Sequence, residues 1–202
     1  QLQQAYDILR TAVHSAVAQH RYGNASVMAA AAAAPGEEGW EMVQQDETLT
    51  IYNRAKPGMA IREVKAVGIV DAPPSLVWKV IGDYDRYTEF MPYVKECRVV
   101  KREGDRVFYV YQVLEMPAVS NRDFTIRIAW DPEPQDGQGI YRSRWAAAND
   151  SGPSEGNGYA RVKVNDGSWT LEPLDGGKRI RATYYLYTDP GGSIPGFLVN
   201  KA

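Results

Sequence analysis

The feature that most constrains the fold is an alternation of apolar and polar residues that recurs between residues 40 and 188. A period of two is typical of β-strands with one buried and one exposed face. We expect about nine strands, separated by turns that contain Gly, Pro, Asn or Asp. The segments are residues 40–45, 49–54, 62–71, 94–102, 106–115, 122–131, 140–147, 159–173 and 179–188.

Three other segments have helical periodicity. Residues 2–21 form a predicted amphipathic helix, and an alanine-rich linker follows it, so we separate residues 1–37 from a domain over 38–202. Pro73 and Pro74 predict the first turn of a second helix, and a short third helix is expected over residues 85–90. Helices set apart from a mostly antiparallel sheet indicate an α+β architecture.

Charge and residue usage exclude several function classes. The net charge of -2 does not favour nucleic-acid binding, which needs a clustered positive field. The only histidines are His14 and His20, both in the predicted first helix, so we expect no His-based metal site or catalytic triad and no cofactor. No run approaches the about 18 apolar residues that span a bilayer. We expect a soluble protein of the cytoplasm, or of the periplasm after loss of a signal peptide.

Several predicted strands share a distinctive inner face. It mixes aliphatic and aromatic side chains with a few polar ones, and 13 Tyr and 5 Trp against 4 Phe suit a wall that is partly polar. A curved sheet with such a face can enclose a ligand, but a sheet packed on a helix would have the same pattern, and patterning alone leaves both open. The candidate cavity residues are Val110, Gln112, Leu114, Phe124, Ile126, Ile128, Tyr141, Trp145, Trp169, Tyr184 and Leu186.

Six short motifs, in order along this strand layout, resemble one family. They are WEMV at 40–43, LTIY at 49–52, YVKE at 93–96, SNRDF at 120–124, YARVK at 159–163 and DPGGSIP at 189–195. Together they are similar to the START (steroidogenic-acute-regulatory-related lipid-transfer) domains, in the phosphatidylcholine-transfer-like branch and of a bacterial type. The resemblance covers residues 38–202.

The resemblance implies a helix-grip fold, in which a curved sheet surrounds a hydrophobic cavity closed by a C-terminal helix. It also implies that the chain binds a lipid and transfers or senses it without catalysis, with transient contact to a membrane surface. The loop over residues 116–121 would be part of the gate. An alternative within the same broad superfamily is a polyketide aromatase or cyclase, which would need an acid/base pair inside the cavity.

Some residues depart from the family's pattern. Tyr87 occupies the position of an arginine that meets the lipid phosphate, and only Phe124 remains of an aromatic choline cage whose other positions are Asn165 and Leu186. Phosphatidylcholine is therefore not the expected ligand, because a cation cage needs several π faces. Gln112 and Ile128 stand where cholesterol-binding relatives carry a buried acid and an arginine. Gln112 would bind a hydroxyl or carbonyl of the ligand, or neighbouring backbone.

Two further expectations concern the strand starts and the chain ends. Arg122 and Asp123 open a strand and are expected to support the fold rather than to contact the ligand. Residues 194–202 would open the family's C-terminal helix, which here is cut short after about two turns of 3.6 residues each. We expect residues 2–21 to replace this roof, either within the chain or by helix exchange in a dimer; a trimmed sequence is the alternative.

Overall fold

The structure is a computed structural model that describes residues 39–47, 49–59, 61–115, 119–134, 139–156 and 158–191. Within these ranges it has ten strands and two α-helices. The strands are β1 (Glu41–Gln45), β2 (Leu49–Ala55), β3 (Arg62–Val70), β4 (Val94–Glu103), β5 (Val107–Leu114), β6 (Arg122–Trp130), β7 (Tyr141–Ala147), β8 (Ala160–Arg161), β9 (Val164–Leu174) and β10 (Arg179–Asp189), and the helices are α1 (Pro74–Ile81) and α2 (Tyr87–Phe90).

All ten strands belong to one sheet, in the order β1-β2-β3-β10-β9-β7-β6-β5-β4, with β8 pairing only with β6. The β6–β8 pair is parallel and the other pairs are antiparallel. The predicted α+β class and the mostly antiparallel, curved sheet are confirmed. The two ends of the order, β1 and β4, are the edges of the sheet.

One predicted strand, over residues 159–173, is two strands in the structure. β7 pairs only with residues 126–130 of β6, which leaves the start of β6 open on that side. Residues 160 and 161 occupy this opening opposite Arg122 and Asp123. The chain then changes partners, and β9 pairs with β7 and β10. Alternation shows that a segment is extended, but it carries no information about which neighbour the segment pairs with.

Helix α1 begins where the sequence predicts. Pro73 is the N-cap residue in an extended conformation, and Pro74 takes the first helical position, where its fixed φ is an advantage. The helix ends at Gly82. Its buried side chains include Val77, Trp78 and Val80, which pack on one face of the sheet, here called the inner face. A 3₁₀ turn over Tyr84–Arg86 connects α1 to α2.

The buried apolar residues of the inner face form two clusters. The α1 cluster joins α1 to β2, β3, β7, β9 and β10: Leu49, Ile51, Val64, Ala66, Val70, Ala72, Val77, Trp78, Val80, Ile81, Tyr141, Trp169, Leu171, Ile180, Ala182, Tyr184 and Leu186. The α2 cluster joins the turn and α2 to β5 and β6: Tyr84, Tyr87, Phe108, Val110, Phe124, Ile126, Ile128 and Val162. Four half-buried residues contact both clusters: Phe90, Met91, Trp130 and Trp145.

Several expectations lie outside the described residues. These are the helix over 2–21 and its linker, the C-terminal segment over 194–202, and residues 116–118 of the expected gate loop. The domain boundary at residue 37, the exchanged roof helix and the dimer therefore stay predictions. None of the described helices combines the length and the apolar composition that crossing a membrane requires.

Candidate functional site

All eleven predicted cavity residues lie on the inner face. Four belong to the α1 cluster and four to the α2 cluster, while Trp145 contacts both. Leu114 is half-buried against the α2 cluster. Gln112, two residues earlier on the same face of β5, is buried. The strand patterns therefore placed these side chains on the correct face. That they line a ligand cavity stays a prediction.

Two indoles mark the boundary between the clusters, and both rest on glycines. A Cβ atom on Gly167 would lie 2.1 Å from Cζ2 of Trp145, and one on Gly82 would lie 2.2 Å from Cη2 of Trp130. Each indole N–H also has an acceptor. Trp145 donates to Oδ1 of Asn165 over 3.1 Å, and Trp130 donates to the hydroxyl of Tyr84 over 3.1 Å. A glycine seat and a hydrogen bond thus fix the orientation of each ring.

The polar tips of the inner-face aromatics are neutral. The Tyr87 hydroxyl donates to the carbonyl of Ile81 over 2.6 Å. Burial raises the pKa of Tyr84, Tyr87 and Tyr184 above the usual tyrosine value, because the phenolate would lose its hydration. These hydroxyls therefore stay protonated at neutral pH.

Some polar groups of the inner face keep unused hydrogen-bonding capacity. Among the described residues, the buried Trp78 Nε1 and Ser143 Oγ have no partner. The Tyr184 hydroxyl likewise makes no hydrogen bond within the part of the chain that the structure describes. Because a buried polar group without a partner costs about 1–3 kcal/mol, this end of the inner face can gain from a polar ligand group.

Gln112 has a contact that the sequence did not predict. Its side chain hydrogen-bonds the Cys97 sulfur, which lies opposite it in the β4–β5 register. Burial raises the pKa of the Cys97 thiol to about 12, so this sulfur is a neutral thiol at physiological pH. Gln112 is thereby held against β4.

Arg122 and Asp123 make contacts within the fold. The Arg122 guanidinium donates to the carbonyls of Pro190 and Gly191 over 3.3 Å each, and to that of Ser120. On the opposite, outer face, Asp123 accepts two hydrogen bonds from Arg161, of 2.8 and 2.9 Å. The expected structural role of both residues agrees with these contacts.

Several inner-face residues were not predicted from the sequence, namely Trp78, Tyr84, Phe90, Met91 and Trp130. Trp130 could have been found, because it continues the alternation of Phe124, Ile126 and Ile128 along β6. Tyr84 and Phe90 come from a 3₁₀ turn and a four-residue helix, and Met91 directly follows that helix. These elements are too short to show a periodicity.

A surface pocket of about 500 Å³ opens beside α2. It is lined by residues 88–95 and by Glu115, the last described residue before the expected gate loop. Phe90 and Met91 belong to its wall and also contact both inner clusters. Side chains that line the pocket, Val94 among them, therefore also pack against the inner face.

Comparison with known proteins gives consistent matches over most of the chain. Residues 70–202 match the family model described as polyketide cyclase/dehydrase and lipid transport. The phosphatidylcholine transfer protein of Rattus norvegicus is 32% identical over 166 residues, which cover 81% of this chain and 76% of the relative. The human protein of the same name is 27% identical over 164 residues, with the same coverage.

Solved structures show the same fold. A STAR-related lipid transfer protein fragment from Xanthomonas axonopodis matches with a TM-score of 0.70 and 30% identity, over 81% of this chain and 89% of that one. Human STARD10 matches with a TM-score of 0.69 over 82% of this chain and 67% of that one, and at 20% identity it supports the fold alone. The helix-grip expectation is thus confirmed, and the chain belongs to the polyketide cyclase/dehydrase and lipid transport family, within which it forms a START-like domain.

Proposed function

We propose that this protein binds one lipid molecule against the inner face of its sheet and transfers it between membranes, without chemical change. The observation that carries the proposal is the half-buried apolar surface between α2 and the sheet, which includes Phe90, Met91, Leu114 and Trp145. Relatives named as lipid transfer proteins support the same function. Covering a hydrocarbon chain in this way offsets about 0.8 kcal/mol for each methylene that leaves the bilayer.

The chemistry of the inner face supports binding rather than catalysis. Among the described residues, its buried groups with shifted pKa values are Tyr84, Tyr87, Tyr184 and Cys97, and burial keeps all four protonated. A cyclase acting on a polyketide needs a group that changes protonation near neutral pH. Nothing in the described inner face favours that alternative over lipid binding.

The eleven inner-face residues of the sequence analysis are the proposed lining. Tyr184 is the proposed polar contact, because its hydroxyl has hydrogen-bonding capacity to spare within the described chain and lies beside Trp145 and Trp169, at ring-centroid distances of 5.7 and 4.6 Å. An uncharged hydroxyl suits a hydroxyl or carbonyl of the lipid. The surface pocket beside α2 is the proposed entrance.

The proposal can be tested with two neighbouring residues on β4. Val99 packs against the α2 cluster on the inner face, whereas Arg98 is exposed on the outer face. We expect Val99→Trp to fill part of the binding surface and to lower both the lipid bound per chain and the rate of transfer between vesicles. Arg98→Trp adds the same ring outside and should leave both quantities unchanged.

Bound lipid would be measured by mass spectrometry of the full chain after incubation with vesicles that contain phosphatidylcholine and diacylglycerol. Transfer would be followed with fluorescent forms of both lipids. A wild-type protein that holds neither lipid and accelerates the transfer of neither would overturn the proposal. Equal losses in the two variants would show that the inner face is not the binding surface.

A further inference from the structure

Of the two indoles at the boundary between the inner clusters, that of Trp145 is fixed in position from three sides. We infer that Trp145 is a specificity-determining residue that limits the length of the acyl chain the protein accepts. This inference rests on the proposed function, because it assumes that a lipid chain lies along the inner face.

Trp145 stands between an accessible region and a filled one. On one side, the α2 cluster is bordered by half-buried apolar residues of β4 and β5, among them Val94, Val99 and Leu114. On the other side, the α1 cluster contains fully buried side chains, such as Ile51, Leu171 and Ile180 at 0% exposure. A chain that lies along the α2 cluster therefore reaches Trp145 before it reaches these fully buried side chains.

The indole has little freedom to move aside. Its Cζ2 and Cε2 atoms would lie 2.1 and 2.4 Å from a Cβ atom on Gly167, so the ring lies directly on the backbone of β9. Asn165, two residues earlier on the same strand, accepts its N–H over 3.1 Å. Tyr184 packs beside it with ring centroids 5.7 Å apart and an interplanar angle of 32°.

Moving the ring would leave the buried Asn165 amide without its indole donor and would open a void over Gly167. Both changes cost free energy, because buried polar groups need partners and a void loses its packing contacts. A lipid chain therefore ends at the indole instead of displacing it. Its length is set by the distance from the entrance to Trp145.

Removing the indole should extend the accessible region. In Trp145→Ala the space over Gly167 becomes an apolar cavity bordered by Ile128 and Tyr184, and engineered apolar cavities take up apolar ligands. If one acyl chain of the lipid buries two further methylenes, the ratio of long-chain to short-chain lipid bound should rise about tenfold.

The experiment is a competition between lipids that differ only in chain length. The full chain is incubated with vesicles that contain a graded series of saturated diacylglycerols, and in a parallel sample a graded series of phosphatidylcholines. Mass spectrometry then gives the length distribution of the bound lipid. The variants are Trp145→Ala, Trp145→Phe and Asn165→Ala, with Arg144→Ala as the control, since Arg144 is the adjacent exposed residue of β7.

We expect the distribution to shift to longer chains in Trp145→Ala, and by less in Trp145→Phe. In Asn165→Ala, where the ring loses its acceptor, a smaller shift is also expected, and Arg144→Ala should match the wild type. Should Trp145→Ala fail to fold, Trp145→Phe and Asn165→Ala carry the test. Lipid-loaded variants with the wild-type distribution would overturn the inference, whereas a wild-type protein without bound lipid would overturn the proposed function instead.

Discussion

The two faces of the sheet use the same aromatic residues in different ways. On the inner face the rings pack on one another, as Trp78 does on Trp130 with centroids 4.5 Å apart. On the outer face they lie under cations, as Tyr187 does under Lys56 at 3.8 Å. Phe108 is an exception, because Arg102 lies over this inner-face ring at 5.1 Å, near the end of β4.

The hydroxyl and indole N–H groups differ in the same way. Inner-face groups bind neutral partners: the Trp145 indole N–H, for example, donates to the side-chain amide oxygen of Asn165. Outer-face tyrosines donate to carboxylates, with Tyr185 bound to Glu63 over 2.7 Å and Tyr111 bound to Asp123 over 3.1 Å. The excess of Tyr and Trp over Phe therefore serves two environments, one low in charge and suited to hydrocarbon, the other ionic.

The largest expected effect is on the inner face. Trp78→Ala should lower the free energy of unfolding by about 3–5 kcal/mol, because the indole is 2% exposed and its removal leaves a cavity. Trp40 lies on the outer face under Arg54 and Lys65. Trp40→Ala removes the buried ring and its cation–π contacts, but the two cations regain water, so the loss should be smaller, about 2 kcal/mol. Urea unfolding measures both losses of free energy. Equal losses would contradict the claim that aromatic rings contribute more to stability on the inner face than on the outer face.

A smaller loss is expected from the buried ion pair of the outer face. Asp123→Asn leaves the Arg161 guanidinium buried without its carboxylate, which should cost about 3 kcal/mol. The side chains of Arg161 and Asp123 are only 7% and 5% exposed. Asp131→Asn, which removes the exposed partner of Arg144, is the matched control and should cost less than about 1 kcal/mol. If the two substitutions lower the free energy of unfolding in urea by the same amount, burial does not strengthen the Arg161–Asp123 ion pair.

The smallest effect is a dependence on pH. The hydrogen bond from Arg54 holds the pKa of Glu63 below its ordinary value of 4.5, and the bond from Tyr185 acts in the same direction. A lowered folded-state pKa stabilises the protein above the unfolded pKa, and this stability is lost as the pH falls through the folded value.

Unfolding free energies measured from neutral to acidic pH should therefore fall less steeply in Glu63→Gln than in the wild type. Glu103→Gln is the control, since that carboxylate pairs with Lys101 on the exposed surface and solvent screens the pair. Identical slopes in Glu63→Gln and the wild type would contradict the assignment of the outer-face network.

Local patterns were sufficient to predict most of the strands and their buried faces. Along β6 the alternation of Phe124, Ile126 and Ile128 is enough to place three side chains on one face, because each strand residue points opposite to its neighbour. The prolines at 73 and 74 were similarly enough to predict the start of α1.

The contacts that organise the two faces of the sheet could not be predicted in this way. The seat of Trp145 on Gly167 depends on the register between β7 and β9, and the bond from Tyr185 to Glu63 joins residues 122 positions apart. Nothing in the local sequence of either partner specifies the other. Register depends on which faces are buried together and on the turns that join the strands, so neither strand determines it alone.

The position of Arg122 has a consequence for how the segments before β6 and after β10 can move. One guanidinium holds the carbonyl of Ser120, which precedes β6, and those of Pro190 and Gly191, which follow β10. Loosening either segment removes acceptors from the same cation and so makes it easier to loosen the other. The amide hydrogens of the two segments should thus exchange with solvent as one cooperative unit, because Arg122 connects the segments by hydrogen bonds.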